Sequence, residues 1–219
     1  MFSTQKKKTV CKVLDVRRLT DSTAVLRFER QGMEFEPGQY IRVGVAGDDE
    51  IRDYSVYSGS SKDHLEVLVR RVEDGLVSKQ LCELVAGDDV SVGGPYGHFK
   101  LIEQLRGKPL LFVATGTGIS PYHCFVESYP ELDFRLIHGT AMQDEAYDAA
   151  GYGDRYFHCV SREDGGDFRG RVTEYLRTLE VPPETNAFLC GNCDMIYEAF
   201  DLLQEKGLPT AQIHTEVYF

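Results

Sequence analysis

A glycine-rich run, Thr115-Gly116-Thr117-Gly118-Ile119-Ser120-Pro121, follows an apolar stretch and precedes a predicted helix. Glycines let a backbone approach a pyrophosphate closely, and the free N–H groups at a helix start bind anions. Pro121 suits the first helical turn, where its missing N–H costs nothing. Such runs also occur as simple tight turns. Here the strand–loop–helix context favours a nucleotide site.

The residues that would bind the ribose of such a nucleotide indicate that this ribose carries a 2′-phosphate. An acidic residue usually binds a ribose hydroxyl about 20 residues further along, yet residues 136–140 contain no carboxylate. The next predicted strand ends in Ser161-Arg162, and Arg171 follows a glycine-rich loop. A hydroxyl with a guanidinium suits a 2′-phosphate, which predicts NADP(H) rather than NAD(H). Alternatively, Arg162 forms a weak surface ion pair with its acidic neighbours in sequence.

The segment Cys190-Gly191-Asn192-Cys193 places two thiols at the start of a predicted helix, where thiolates become reactive. A dithiol redox centre or half of a zinc site is one interpretation. A second C-x-x-C is missing and the six histidines show no ligand spacing, so we predict no metal site. The iron–sulfur spacing of plant-type ferredoxins is also missing, which predicts that any one-electron acceptor is a separate molecule.

Another stretch with reactive or charged side chains is Arg52-Asp53-Tyr54-Ser55. Arg52 could bind a diphosphate, Tyr54 could lie flat on a planar ring, and Ser55 could hydrogen-bond a ring nitrogen. The same residues also fit an ordinary β-strand with a partly buried tyrosine. Composition alone leaves both interpretations open.

Two patterns along the chain indicate the elements that would position these residues. Up to about residue 97, short apolar stretches are separated by turn residues, which is typical of an antiparallel barrel or sandwich. A predicted helix at 76–84 lies among these stretches, with Leu76, Val77, Leu81 and Leu84 expected on one apolar face. The predicted strands of this half are 24–28, 40–43, 65–69 and 90–92.

From residue 110 onward, predicted strands alternate with helices, which indicates a doubly wound parallel sheet. We therefore predict an N-terminal antiparallel β-barrel domain, residues 1–102, and a C-terminal α/β domain, residues 103–219. The predicted strands of the second domain are 110–114, 134–137, 156–160, 187–190 and 212–217, and its helices are 122–128, 172–179 and 195–206.

The formal net charge of −11 is unevenly spread: residues 1–102 hold 15 basic and 16 acidic residues, whereas residues 103–219 hold 9 and 19. The acidic second half argues against nucleic-acid binding and would repel an acidic protein partner, which should dock on the first half. No apolar run is long enough to span a membrane, and no secretory signal is present, so we expect a cytoplasmic protein. The candidate docking residues are Arg17, Arg18, Arg70 and Arg71.

Together, the segments resemble the plant-type ferredoxin–NADP⁺ reductase family over nearly the whole chain. Each segment is short, but their order and spacing argue against a chance match. In chain order they are Phe35-Glu36-Pro37-Gly38-Gln39-Tyr40, Arg52-Asp53-Tyr54-Ser55, Val69-Arg70-Arg71-Val72 with residues 75–78, Gly94-Pro95-Tyr96-Gly97-His98-Phe99, residues 115–121, Ser161-Arg162-Glu163, Cys190-Gly191-Asn192 and Glu216-Val217-Tyr218.

The resemblance implies a Greek-key β-barrel that binds FAD non-covalently and a following domain that binds NADP(H) as substrate. The residues implied to contact FAD are Arg52, Asp53, Tyr54, Ser55, Leu68, Val69, Arg70, Leu76, Val77, Ser78, Thr117, Tyr218 and Phe219. Those implied to bind the nucleotide are Thr115, Gly116, Thr117, Gly118, Ser161, Arg162, Arg171, Cys190, Gly191 and Asn192. The implied catalytic residues are Ser55, Cys190, Glu216 and Tyr218.

In this family pattern Tyr218 would stack on the flavin face opposite Tyr54 and would have to move before nicotinamide could stack there. Phe219 resembles the extra terminal aromatic residue of bacterial members, which would cover the FAD adenine. The implied reaction is hydride transfer between nicotinamide C4 and flavin N5, with ferredoxin or flavodoxin as the one-electron carrier.

Two other functions stay compatible with the sequence. One is an NAD(P)H:flavin reductase or the flavin reductase component of a multicomponent oxygenase. The other is a non-catalytic nucleotide-sensing module. The aromatic C-terminus favours FAD that stays bound over flavin used as a loose substrate.

Overall fold

The structure, a computed structural model, describes residues 8–218. Contacts within the chain define two compact units. The first takes in residues up to Lys100 together with His123–Ser128, and the second takes in Leu101–Tyr122 and the residues from Tyr129 onward. The functional domain limits, 1–102 and 103–219, stay a prediction.

The first unit is built on a six-stranded antiparallel sheet with the strand order β4-β3-β6-β1-β2-β5. An isolated antiparallel bridge between Val56 and Val67 links the end of β4 to β5, so the two edge strands of the sheet meet, as a barrel requires. Its elements are β1 (Thr9–Arg18), β2 (Thr23–Glu29), β3 (Tyr40–Val45), β4 (Arg52–Ser55), β5 (His64–Arg70), α1 (Leu76–Glu83) and β6 (Asp89–Tyr96).

Side chains that alternate between the two sides of the strands form the core of this unit. In β1, Cys11 and Val13 are buried whereas Lys12 and Leu14 are exposed. A register shift between Val13 and Asp15 interrupts the pairing of β1 with β2. The largest core residues come from β2, β3 and β5, and they include Leu26, Phe28, Ile41, Val43 and Leu65.

Helix α1 packs on this core through Val77, Ser78, Leu81 and Cys82. The predicted face was wrong for Leu76, which is 57% exposed. Residues three and four apart share a helix face, so Val77 and Leu81 define a side from which Leu76 is turned away.

The second unit contains a six-stranded parallel sheet with the order β10-β9-β8-β7-β11-β12. Strands β7 and β11 are buried along almost their whole length, as expected for the centre of a parallel sheet covered by helices. The elements are β7 (Leu110–Thr115), α2 (Ser120–Ser128), β8 (Phe134–Thr140), β9 (Tyr156–Val160), β10 (Phe168–Arg169), α3 (Val172–Thr178), β11 (Asn186–Gly191), α4 (Cys193–Glu205) and β12 (Ile213–Val217).

The predicted fold class is confirmed, and most element bounds differ by one to three residues. Strands β1 and β10 were not named by the sequence pattern, and residues 210–212 form a 3-10 turn that delays the start of β12. Within residues 8–218, no helix is long and apolar enough to cross a membrane.

Candidate functional site

In the second unit, the predicted nucleotide loop lies at the carboxyl end of β7. Residues Gly116–Ile119 form a 3-10 turn that leads directly into α2. Gly116 has a φ of +53°, a conformation that glycine adopts without a steric penalty. The Ser120 hydroxyl donates to the Thr117 carbonyl at 2.7 Å. The loop is therefore a defined turn at the strand end.

The neighbouring strand β11 holds this loop from one side. A Cβ on Gly118 would lie 2.4 Å from the Cys190 carbonyl oxygen, and a Cβ on Gly191 would lie 2.4 Å from the Thr115 hydroxyl. The Asn192 backbone N–H donates to the same Thr115 hydroxyl at 2.9 Å. Seven predicted nucleotide-binding residues thus lie together around one loop: Thr115, Gly116, Thr117, Gly118, Cys190, Gly191 and Asn192.

Helix α4 begins at the same place. The Asn192 side-chain oxygen accepts from the Met195 N–H at 3.2 Å and caps the helix. The glycines at 118 and 191 let the loop and β11 pack closely together, and two helices, α2 and α4, begin here. This arrangement fits an anionic diphosphate.

The predicted catalytic residues of the second unit also lie together. Cys190 and Glu216 are direct partners in the parallel pairing of β11 with β12, and the Tyr218 N–H donates to the Gly191 carbonyl at 2.9 Å. Burial raises the pKa of the Cys190 thiol well above its usual value, and the Glu216 charge raises it further, while a hydrogen bond with Tyr218 opposes both. Cys190 is therefore a neutral thiol at neutral pH.

A neutral, fully buried thiol does not fit the dithiol redox interpretation of Cys190 and Cys193. Both are free cysteines in the structure, with Cys190 buried and Cys193 partly exposed. Reactive cysteines have low pKa values and are accessible. Among residues 8–218, no group of three or more metal-ligating side chains could hold a metal ion.

Tyr122 is a residue of this corner that the sequence did not single out. Its hydroxyl is buried and donates to the Val113 carbonyl at 3.2 Å. Burial, and then the nearby Cys190, Glu216 and Tyr218, raise its pKa well above the usual value. The sequence feature that could have identified Tyr122 is its position directly after Pro121, at the start of α2.

The residues predicted to bind a 2′-phosphate lie further along the same sheet. Ser161 follows β9, and its hydroxyl donates to the Thr140 carbonyl at 3.0 Å. Arg162 and Arg171 are exposed. The alternative ion pair of Arg162 is not formed in the described residues, and the Glu163 carboxylate accepts from the Gln143 N–H. Asp164 pairs with Arg169 at 2.7 Å.

In the first unit, Arg52, Tyr54 and Ser55 lie on β4, paired with β3. The Arg52 side chain is 59% exposed and bonds Glu50 and the Ile51 carbonyl. Tyr54 is half-buried, and its pKa is raised by burial and then by nearby Cys82 of α1. Ser55 is buried. Asp53, also predicted here, forms an exposed ion pair with Arg42 at 3.1 Å.

The start of α1 adds a second part to this region. The Ser78 hydroxyl accepts from the Val72 N–H at 3.1 Å, and a Cβ on Gly75 would lie 2.8 Å from that hydroxyl oxygen. Val72 and Leu76 are both 57% exposed. Leu68, Val69 and Val77 are buried, and Arg70 is exposed.

This donor set fits the requirements of FAD. An exposed guanidinium and a glycine-led helix start suit a diphosphate, and Tyr54 with the exposed apolar side chains suits a planar ring system. Tyr54 belongs to the first unit and Tyr218 to the second, so their predicted sandwich of the flavin stays a prediction. Phe219 lies outside the described residues.

Comparisons with known proteins give a consistent result. Residues 10–101 match the family described as oxidoreductase FAD-binding domain. The chain is 30% identical over 224 residues to the toluate 1,2-dioxygenase electron transfer component of Pseudomonas putida, covering 94% of this chain and 66% of that relative, less than two thirds of its length. It is 28% identical to the ferredoxin–NADP reductase of Azotobacter vinelandii, covering 90% of this chain and 89% of that relative.

Among solved structures, a ferredoxin NADP⁺ reductase from Neisseria gonorrhoeae with bound FAD and NADP superposes with a TM-score of 0.86. Its sequence identity is 24%, and the match covers 97% of this chain and 99% of that one. At this identity the likeness shows the fold.

Proposed function

We propose that the chain belongs to the family of FAD-binding oxidoreductases that includes the bacterial ferredoxin–NADP reductases, and that it transfers electrons between NADP(H) and a one-electron carrier, ferredoxin or flavodoxin. In this proposal residues 1–102 bind FAD and residues 103–219 bind NADP(H). The reaction is hydride transfer between nicotinamide C4 and flavin N5.

The observation that carries the proposal is the corner formed by β7, β11 and β12. The glycine loop at Gly116–Ile119, the buried Cys190 and its register partner Glu216 lie at adjacent strand ends. Ligands of open parallel sheets bind outside the carboxyl ends of the strands. A nucleotide diphosphate at the loop would extend its nicotinamide toward Cys190 and Glu216.

FAD supplies the conversion between two-electron and one-electron transfer. The residues of this chain would hold and orient it: Arg52 at the diphosphate, and Tyr54 and Ser55 at the ring. Cys190 would offer a small, uncharged contact beside the nicotinamide, because its thiol stays protonated. Placement of the two reacting atoms in contact is the main contribution of the protein to such a reaction.

We assign the nucleotide preference to NADP(H). Two exposed guanidinium groups, Arg162 and Arg171, supply donors that a 2′-phosphate needs. The Ser161 hydroxyl lies beside them and would have to turn from the Thr140 carbonyl to donate to that phosphate. The exposed arginines of the first unit, among them Arg18 and Arg71, would receive an acidic carrier protein. A carrier-dependent reductase of this kind would act in the cytoplasm.

The test begins with the absorption spectrum of the purified protein. We expect a flavin spectrum that persists through gel filtration and is bleached by NADPH without oxygen. Cys190→Ala and Ser55→Ala should each slow hydride transfer in stopped-flow measurements. A colourless protein, or near wild-type rates in both variants, would refute the assignment.

A second candidate is the reductase component of a multicomponent oxygenase, favoured by the similarity to the toluate dioxygenase component. Steady-state NADPH oxidation separates the possibilities. Turnover with ferredoxin or flavodoxin supports the first function, turnover that requires an oxygenase partner supports the second, and turnover only with added free flavin indicates a flavin reductase. No turnover with ferricyanide would instead support a nucleotide sensor.

A further inference from the structure

A buried histidine lies beneath the nucleotide loop. His138, in β8, is the register partner of Ala114 in β7 and of His158 in β9. Its side chain is 0% exposed. Its Nε2 lies 2.8 Å from the Gly116 carbonyl oxygen, and its Nδ1 lies 2.8 Å from the Tyr156 hydroxyl. Both ring nitrogens therefore have a partner, and one partner is the first residue of the loop.

The chemistry of the two partners assigns the proton. A carbonyl oxygen only accepts, so Nε2 carries the hydrogen and donates to Gly116. Tyrosine can donate, so the Tyr156 hydroxyl donates to Nδ1 in the neutral ring. The same reasoning fixes His158: its Nε2 donates to the Thr140 hydroxyl, which itself donates to the Met142 carbonyl.

The surroundings keep the His138 ring neutral. The pKa of His138 is lowered to about 3, mainly by burial; the bond to Gly116 opposes the shift and the nearby His158 adds to it. The rings of Tyr147, Tyr156 and His158 lie about it at centroid distances of 5.8, 5.9 and 6.0 Å. Acidic groups act on these neighbours: Asp167 on Tyr156, and both Asp167 and Glu145 on His158.

The bond to His138 determines how the loop presents its backbone. In a planar trans peptide, the C=O of one residue and the N–H of the next point in opposite directions. The Gly116 carbonyl is directed to the His138 ring in β8, so the Thr117 N–H points away from that ring. Gly116 permits this orientation because its φ is +53°.

We propose that His138 is a positioning residue for the pyridine nucleotide: held in one tautomer by Tyr156, it fixes the Gly116 carbonyl toward its ring and thereby aims the Thr117 N–H at the nucleotide phosphate. This inference rests on the proposed function of the same loop. It predicts that the histidine affects nucleotide affinity without contacting the nucleotide.

The experiment uses the FAD-loaded full chain and four variants. His138→Leu removes the donor, His138→Gln keeps an N–H donor, and Tyr156→Phe removes the group that fixes the tautomer. His214→Leu is the matched control: His214 is a partly buried histidine in the same sheet, stacked on Phe188, and its buried Nε2 makes no hydrogen bond within residues 8–218. Calorimetric titration with NADP⁺, the flavin spectrum and the melting temperature are measured for each.

We expect His138→Leu to bind NADP⁺ about tenfold more weakly, because the Gly116 carbonyl loses its donor and the loop its orientation. In this variant the KM for NADPH should rise by a larger factor than kcat falls, and the flavin spectrum should be unchanged. His138→Gln should recover most of the affinity, and His214→Leu should match the wild type. Nitrogen-15 NMR of the wild type should show a neutral His138 ring with the hydrogen on Nε2.

Three results would overturn the inference. These are wild-type NADP⁺ affinity in folded His138→Leu, equal losses in His138→Leu and His214→Leu, or an NMR signature of a charged or Nδ1-protonated ring. If wild-type protein bound FAD but no pyridine nucleotide, the proposed function would fail along with the inference. If the wild type turned over NADPH and the His138 variants bound NADP⁺ with wild-type affinity, the inference alone would fail.

Discussion

Replacing Gly118 with alanine should disable the nucleotide corner while leaving the protein folded. The added Cβ would lie 2.4 Å from the Cys190 carbonyl oxygen and 2.7 Å from both the Cys190 carbonyl carbon and the Gly191 Cα. These are backbone atoms of the central strand β11, so no flexible side chain can move aside. Gly118 does not have a positive φ, which makes the effect of this substitution purely steric.

The size of the effect follows from the overlap. An ordinary Cβ contact begins near 3.4 Å, so the loop and β11 must separate by about 1 Å. Overpacking of this kind costs about 1–3 kcal/mol of stability. A displacement of about 1 Å in a positioning element can slow the reaction by about 100-fold. We therefore expect a modest loss of stability and a large loss of hydride transfer.

Stopped-flow reduction of the bound flavin by NADPH measures the rate, and urea unfolding measures the stability. Gly107→Ala is the matched control, because Gly107 lies in the same unit and has nothing within 4 Å of an added Cβ. The reasoning would be refuted if folded Gly118→Ala reduced its flavin at the rate of the Gly107→Ala protein.

Three further predictions concern acid stability, nucleotide preference and the barrel core. Because the pKa of His138 falls from 6.5 to about 3 in the folded protein, the unfolded chain binds a proton between these values that the native state does not; this group alone should lower the free energy of unfolding by up to about 1.4 kcal/mol for each pH unit below about 6.5. The free energy of unfolding, measured with urea at several pH values in this range, should therefore fall less steeply with decreasing pH for His138→Gln than for the wild type. Equal pH dependence in the two proteins would contradict the buried neutral ring. Arg162→Ala should raise the KM for NADPH about tenfold with little change for NADH; parallel changes with both nucleotides in steady-state assays would argue against a 2′-phosphate contact. Phe28→Ala, at a site with 0% exposure in the first core, should cost about 3–5 kcal/mol in chemical denaturation, and a loss below about 1 kcal/mol would show that this ring is not a core residue.

The fold was predictable where local patterns are strong. Strands β5 and β7 could be predicted from the sequence because they are buried along most of their length, and buried strands need apolar side chains. Strand β1 was harder, since Leu14 is exposed and the register shifts between Val13 and Asp15. Strand β10 has only two residues, Phe168 and Arg169, too few for any periodicity.

The site was predictable only as separate segments. The glycine run and Cys190-Gly191-Asn192 carry their own chemistry in the sequence. The pairing of Cys190 with Glu216 depends on the parallel register of β11 and β12, which no local pattern specifies. The bond between His138 and Gly116 joins residues 22 positions apart and likewise depends on strand register, so no local pattern marked His138 as a partner of the loop.

The strand order separates the residues proposed to select the coenzyme from those proposed to line the site of hydride transfer. The arginine and serine that follow β9 lie on one side of the central loop, while Cys190 and Glu216 lie on the other, in β11 and β12. Neighbouring strands are about 4.8 Å apart, which puts β9 and β11 roughly 14 Å apart. Under the proposed function, substitutions after β9 that change the preferred coenzyme should leave Cys190 and Glu216 undisturbed, and changes at the two places should combine additively.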